Sequence, residues 1–176
     1  MNKIEYLILH CSDSLFGSAA ELRRWHIARG WSDIGYHLVI LNGLILPDTK
    51  HQKQLYLPFM DGAIEIGRRF DGDPFISQSE VGAHALGLNA TSLGICLIGK
   101  DTFTAAQFVS LARAIRALEA HPLGAHLKRS NILGHYQTPQ AGGKTCPNFN
   151  VPRFVADIDK IFATLTANPT DYRRTA

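Results

Sequence analysis

Between Gly134 and Phe149 the chain reads GHYQTPQAGGKTCPNF. His135 ends an apolar run, a Gly-Gly pair follows, and Lys144 stands two residues ahead of Cys146, which Pro147 locks from behind. Imidazole nitrogen and thiolate sulfur are both donors that zinc accepts, and a loop of this length can fold back so that both reach one ion. The best placed third donor is His10, at the end of the apolar segment Tyr6-Leu7-Ile8-Leu9. Two histidines and one cysteine leave the fourth tetrahedral position to water, the arrangement of a hydrolytic zinc site rather than a structural one. Taken singly, these residues also fit plainer roles: strand-end histidines, a packed thiol, or a Cys146 nucleophile with His135 as its base. The last of these leaves His10 without a task.

The elements that must position these donors can be read from pattern. Tyr6 to Cys11 is a short apolar run bounded by polar residues, a buried strand. Side chains alternate along a strand, so only one of His10 and Cys11 can face a shared ion; His10 is assigned to it and Cys11 to the core. Ser18 to Glu21 is a capping box, followed by Leu22, Trp25 and Ala28 at helical spacing and stopped by Gly30. A turn from Trp31 leads into a strand reaching Leu41. Asn42-Gly43 predicts a hairpin with Leu44 to Leu46 returning antiparallel. Pro47 to Gln54 reads as a loop, and a second hairpin is expected across Asp61-Gly62, pairing Leu55–Met60 with Ala63–Ile66. Val81 to Asn89 reads as a close-packed glycine-containing loop, and Leu93 to Ile98 as a central strand. Thr104 to Gln107 opens a helix with Phe108, Leu111, Ile115 and Leu118 on one face, ending near Ala120. Asn131 to Gly134 is a short strand that delivers His135. Asn150 caps a last helix with Val151, Phe154, Val155, Ile158, Ile161 and Leu165 as its apolar stripe. The expected fold is α/β: a central mixed sheet of about five or six strands flanked by about three helices. Residues 1–168 form one domain in this reading, and 169–176 a mobile tail with little to bury.

Bulk properties narrow the function classes. The 176 residues are 45% hydrophobic, with 18 Lys plus Arg against 15 acids, a formal charge of +3 and a pI near 8.8. No Lys/Arg block stands out, so a dedicated nucleic-acid role is not expected. No apolar stretch approaches the ~18 residues of a membrane span. The start, MNKIEYLILHCSDS, reads as a strand and not as a signal peptide, which predicts synthesis in the cytoplasm. Cys11, Cys96 and Cys146 are odd in number and widely spaced, unlike a disulfide framework. His26, His51, His121 and His126 have no partners in sequence and are assigned to the surface or to helices. Trp25 and Trp31 are assigned to the core or its rim. Other zinc signatures, H-E-x-x-H, paired C-x-x-C, and H-x-E with P-C-x-x-C, are lacking in the sequence.

Several ordered pieces resemble the zinc-dependent N-acetylmuramoyl-L-alanine amidases of type 2, including phage amidase-type lysozymes and the animal peptidoglycan recognition domains. They are Leu9-His10-Cys11-Ser12, Arg24-Trp25-His26, Gly30 through His37, Gly67-Arg68, Val81 through Asn89, Ser92 through Leu97, and His135 with Lys144-Thr145-Cys146-Pro147. The resemblance implies one zinc ion on His10, His135 and Cys146, catalytic assistance from Tyr36 and Lys144, and a substrate cleft lined by His84 and Asn89. It also implies cleavage between N-acetylmuramic acid and L-alanine of peptidoglycan or a muropeptide by a monomeric enzyme, made in the host cytoplasm and acting on the wall after release. A protein that binds peptidoglycan without cutting it is the alternative. The piece from Leu44 to Met60 departs from the compact phage pattern, and the loop from His135 to Cys146 is longer by Gln140 to Gly143.

Overall fold

The computed structural model describes residues 1–47 and 53–174. In chain order the regular elements are β1 (Asn2–Lys3), β2 (Tyr6–Cys11), α1 (Ala19–Ala28), β3 (Leu38–Leu44), β4 (Tyr56–Ile66), β5 (Phe75–Ile76), β6 (Ser92–Leu97), α2 (Ala105–Ala120), β7 (Ile132–Gly134) and α3 (Val151–Thr164), with short 3-10 turns between some of them. Five strands form one mixed sheet in the order β4-β3-β6-β2-β7, and β1 pairs with β5 in a separate two-stranded ribbon. Within the five-stranded sheet β2 runs parallel to both β6 and β7, β3 runs parallel to β6, and β4 is antiparallel to β3; the β1/β5 ribbon is antiparallel as well. The expected α/β class, mixed sheet and three helices are therefore found.

The strands in the middle are apolar on both faces because both faces are covered. On one face Leu7, Leu9 and Cys11 of β2, with Leu93, Ile95 and Leu97 of β6, pack against Phe108, Leu111 and Ile115 of α2 and Phe154, Ile158 and Ile161 of α3. On the other, Val39, Leu41, Cys96 and Ile98 pack against Ala19 and Leu22 of α1. Alternation along β2 turns His10 away from the α2/α3 core that takes Leu9 and Cys11. The helices start where the sequence says. The Ser18 hydroxyl accepts from the Glu21 amide at 3.2 Å, although Glu21 turns to Arg24 instead of completing its box. Thr104 and Gln107 form the full capping box, and the buried Gln107 amide also donates to the carbonyls of Ile40 and Ile98, fastening α2 to the ends of two strands.

Three expectations fail. Asn42-Gly43 and Asp61-Gly62 are not hairpin tips: both lie inside the long β3/β4 pair, where Asn42 faces Asp61 and the register shifts on either side. Gly43 and Gly62 have φ of +80 and +79, the conformation that a bulge and a primed turn share, so the dipeptides reported local backbone correctly but not its context. The strands are paired as far as Leu44 and Tyr56, and the predicted Pro47–Gln54 loop lies in part, at 48–52, outside the described residues. Leu165 leaves the apolar stripe of α3, being half exposed at the helix end with φ +53.

Residues 169–174 pack onto the domain. Residues Pro169–Tyr172 make a 3-10 turn, the Asn150 amide donates to the Tyr172 carbonyl at 2.7 Å, and the Tyr172 ring is 3% exposed, 4.8 Å from Phe108 and 5.5 Å from Phe154. Beyond it, Arg174 donates to the Thr145 carbonyl and lies 4.2 Å over the Tyr136 ring, so the C-terminal segment braces the loop that carries Lys144 and Cys146. Replacing Tyr172 with Ala removes a fully packed ring and should cost about 3 kcal/mol. Thermal unfolding should then move down by roughly 6 to 12 °C; an unchanged midpoint would mean the segment contributes nothing to the core.

Candidate metal centre

The parallel ladder builds the centre. Leu9 of β2 is the register partner of Gly134 of β7, so the next residues, His10 and His135, emerge side by side at the carboxyl ends of adjacent strands. Their ring centroids are 4.7 Å apart. Cys146 returns to the same place because the loop after His135 is pinned at both ends. The Tyr136 amide donates to the Cys146 carbonyl at 2.9 Å, and the Thr138 hydroxyl to the His135 carbonyl at 2.8 Å. One ligand atom each from His10, His135 and Cys146 lie within 4.8 Å of one another. His10 Nδ1 is 3.8 Å from Cys146 Sγ. Two donors held at zinc bond lengths of ~2.1 and ~2.3 Å in tetrahedral geometry stand roughly 3.6 Å apart, so the pair needs almost no movement to share an ion.

The donor chemistry fits a divalent ion of zinc's softness. Burial first, then the neighbouring His84, His135 and Lys144, holds His10 well below the ordinary histidine range. Burial and then Lys144 bring His135 to about 4. Both imidazoles are thus neutral at pH 7, as ligation requires. The hydrogen bond with the Cys11 side chain, and then burial, push the Cys146 thiol up. A Cys/His hydrolase leaves His10, whose Nδ1 lies 3.8 Å from Cys146 Sγ, without a task, whereas a metal can take all three donors with release of the thiol proton. The Cys11 amide N–H points at Cys146 Sγ from 3.3 Å, a donor suited to that thiolate.

The other expected residues fall as follows. Tyr36 is partly buried, its ring 5.0 Å from that of His10, and burial raises its phenol well above 10, so it remains a proton-bearing donor. Lys144 is exposed at the mouth, with Nζ 3.4 Å from His135 Nε2. His84 is 8% exposed and lies behind His10, its Nδ1 3.1 Å from His10 Nε2. Asn89 turns its Oδ1 onto the backbone amides of His84 and Ala85 at 2.9 and 2.7 Å. Cys11 is buried in the core.

Two histidines matter more than the sequence shows. His37 is fully buried: its Nδ1 accepts from the Gly94 amide at 2.9 Å and its Nε2 donates to the Glu80 carbonyl at 2.9 Å, which ties the segment leading into β3, where Tyr36 lies, to β6 and to the loop after β5. His26, assigned from sequence to the surface or to a helix, lies in α1 and is 5% exposed. Its Nδ1 accepts from the Gly35 amide and its ring lies against Trp31 and Tyr36, so it sets the backbone from which Tyr36 projects. The only trace of this in the sequence is its place in the Arg24-Trp25-His26 piece. Of the remaining three, His121 accepts from the Leu123 amide and His126 sits beside Phe75, while His51 lies outside the described residues.

The chain is similar to several known proteins. A family profile described as N-acetylmuramoyl-L-alanine amidase matches residues 1–149. The endolysin of Escherichia phage T7 is 30% identical over 159 residues, covering 84% of this chain and 83% of that protein. The endolysin of Klebsiella phage KP32 is 29% identical over 159 residues with the same coverage. Among solved structures, the N-acetylmuramoyl-L-alanine amidase LysC from Clostridium intestinale superposes with a TM-score of 0.61 at 24% identity, covering 93% of this chain and 86% of that one.

The buried His37 makes a pH prediction. Desolvation lowers it from 6.5 to about 4. Between those values the unfolded chain binds a proton that the folded chain does not. Its contribution is therefore complete above about 6.5 and is lost as pH falls through that window toward 4, up to about 3 kcal/mol. Urea unfolding of the metal-free chain across this range should show that loss, and His37→Gln should flatten the slope by about one proton. An identical slope in the variant would place His37 elsewhere.

Proposed function

The chain belongs to the N-acetylmuramoyl-L-alanine amidase family, and from that premise we propose that it hydrolyses the amide joining the lactyl group of N-acetylmuramic acid to L-alanine in peptidoglycan or a soluble muropeptide. In this reading one zinc ion is held by His10, His135 and Cys146. The observation that carries the reading is the convergence of three donors, two neutral imidazoles and a thiol, with one side facing solvent and a lysine at its edge.

When bound, zinc supplies a Lewis acid that lowers the pKa of a water and polarises the scissile carbonyl. The protein does the rest. His10 and His135 present lone pairs from fixed strand ends, and Cys146 gives up its proton to join them. The Lys144 ammonium, 3.4 Å from His135, donates to the oxygen that becomes negative as the amide is attacked. One such donor is worth about 10² to 10³ in rate, or roughly 3 kcal/mol. Tyr36 keeps its phenolic proton because burial disfavours the phenolate, and its hydroxyl orients the attacking water or passes a proton to the departing amine of L-alanine. The segment from His84 to Asn89 forms the cleft wall, with Asn89 shaping it through the backbone.

The relatives named endolysins are phage proteins, and for this chain we propose synthesis in a host cytoplasm, a monomeric state and action on the wall after release. No helix among the described residues is long and apolar enough to cross a membrane.

The test is release of free stem peptide, detected as new L-alanine amino termini, from purified peptidoglycan. Chelator should abolish release and zinc restore it. Lys144→Ala should lower kcat by about 10² to 10³ while retaining zinc. Binding to the wall without peptide release would leave a recognition protein and not an enzyme.

A further inference from the structure

The cleft-wall assignment of His84 does not account for where its ring lies. We propose that His84 is the positioning residue that holds His10 with Nδ1 toward the ion, and does not itself touch substrate. The inference rests on the reading of His10 as a metal ligand. His10 Nδ1 is the nitrogen 3.8 Å from Cys146 Sγ, and His10 Nε2 is the one 3.1 Å from His84 Nδ1. A neutral imidazole has one N–H and one lone pair, and the lone pair must serve the metal. The His10 proton is therefore on Nε2, where it donates to the lone pair of His84 Nδ1, and the His84 proton is on Nε2. The ring centroids are 5.1 Å apart, so the two facing nitrogens are the near atoms of the pair.

The fold goes to some length to hold that ring. A Cβ on Gly94 of β6, or on Gly82, would come within 2.7 Å of the His84 imidazole, so both positions must be bare for the ring to enter. Asn89 clamps the backbone at His84 and Ala85 with a single carbonyl oxygen. The neighbouring His37, 5.6 Å away, cannot draw His84 aside because both of its nitrogens are already engaged, by Gly94 and by Glu80. At 8% exposure His84 offers almost no surface to a sugar or a peptide. An imidazole used for contact would lie open to the cleft; this one is wedged behind a ligand.

Partners of metal-bound histidines are typically worth 10- to 100-fold in metal affinity. The experiment is zinc affinity by chelator competition for the wild type, His84→Leu and His84→Gln, with circular dichroism of each metal-free chain as the folding control. His84→Leu should bind zinc about 10- to 100-fold more weakly, and His84→Gln, whose carbonyl can accept from His10, should recover most of the loss. Equal affinity in His84→Leu overturns the proposal, as does an equal loss in both variants, which would report a cavity and not the hydrogen bond. If the wild type itself takes up no zinc, it is the metal reading that fails. Should His84→Leu not fold, imidazole ¹⁵N spectra of the zinc-bound wild type decide: the proposal requires a bare His84 Nδ1 coupled to the His10 Nε2 proton, and a proton on His84 Nδ1 contradicts it.

Discussion

Parallel pairing of β2 with β7 is the constraint on which the rest depends. It is short, three residue pairs from Leu7/Ile132 to Leu9/Gly134, yet it puts two histidines from opposite ends of the chain at adjacent strand ends. Strand spacing fixes their separation at about 5 Å without any contribution from the rings themselves. Parallel strands cannot be joined by a tight turn, so the intervening chain must cross over, and it does so through most of the domain. The metal centre is thus assembled only when the sheet is complete. That order suits a site whose thiol is protonated until an ion arrives, because nothing in the centre has to hold the fold together beforehand.

Dehydration does the chemical tuning. His10, His26, His37 and His84 are all buried on the same side of the sheet as Tyr36, and wherever their protonation shifts, loss of water is the first cause. A cluster of neutral imidazoles can be packed against one another where charged ones would repel, and each neutral ring has one donor and one acceptor to spend. His37 spends both on backbone, fixing the loop to the sheet. His10 divides its two between the metal side and His84. Tyr36 remains a phenol for the same reason that the histidines remain neutral.

The parts legible in the sequence were those set by side-chain type and period. The apolar run ending in His10, the loop from His135 to Cys146, both capping serine or threonine positions and the stripe of α3 required no tertiary knowledge. The parts that were not legible depend on what a residue meets across the fold. Asn42-Gly43 and Asp61-Gly62 prescribe a positive φ, but whether that makes a turn or a bulge is decided by how far the paired strand continues. Tyr172 sits in a polar segment, and it is the Phe108 and Phe154 rings beneath it that give it something to bury. His26 and His84 look alike in sequence, each a lone histidine, and become a brace for Tyr36 and a prop for His10 only once Gly35 and β6 are in place.

The central claim is that the ion is held by one sulfur and two imidazoles with a position left for water. X-ray absorption at the zinc edge on the reconstituted protein reads this directly. The account predicts one sulfur near ~2.3 Å and two nitrogens near ~2.0 to 2.1 Å, with a light oxygen scatterer completing the shell. A shell without sulfur, or one closed by a second sulfur from Cys11, would contradict it.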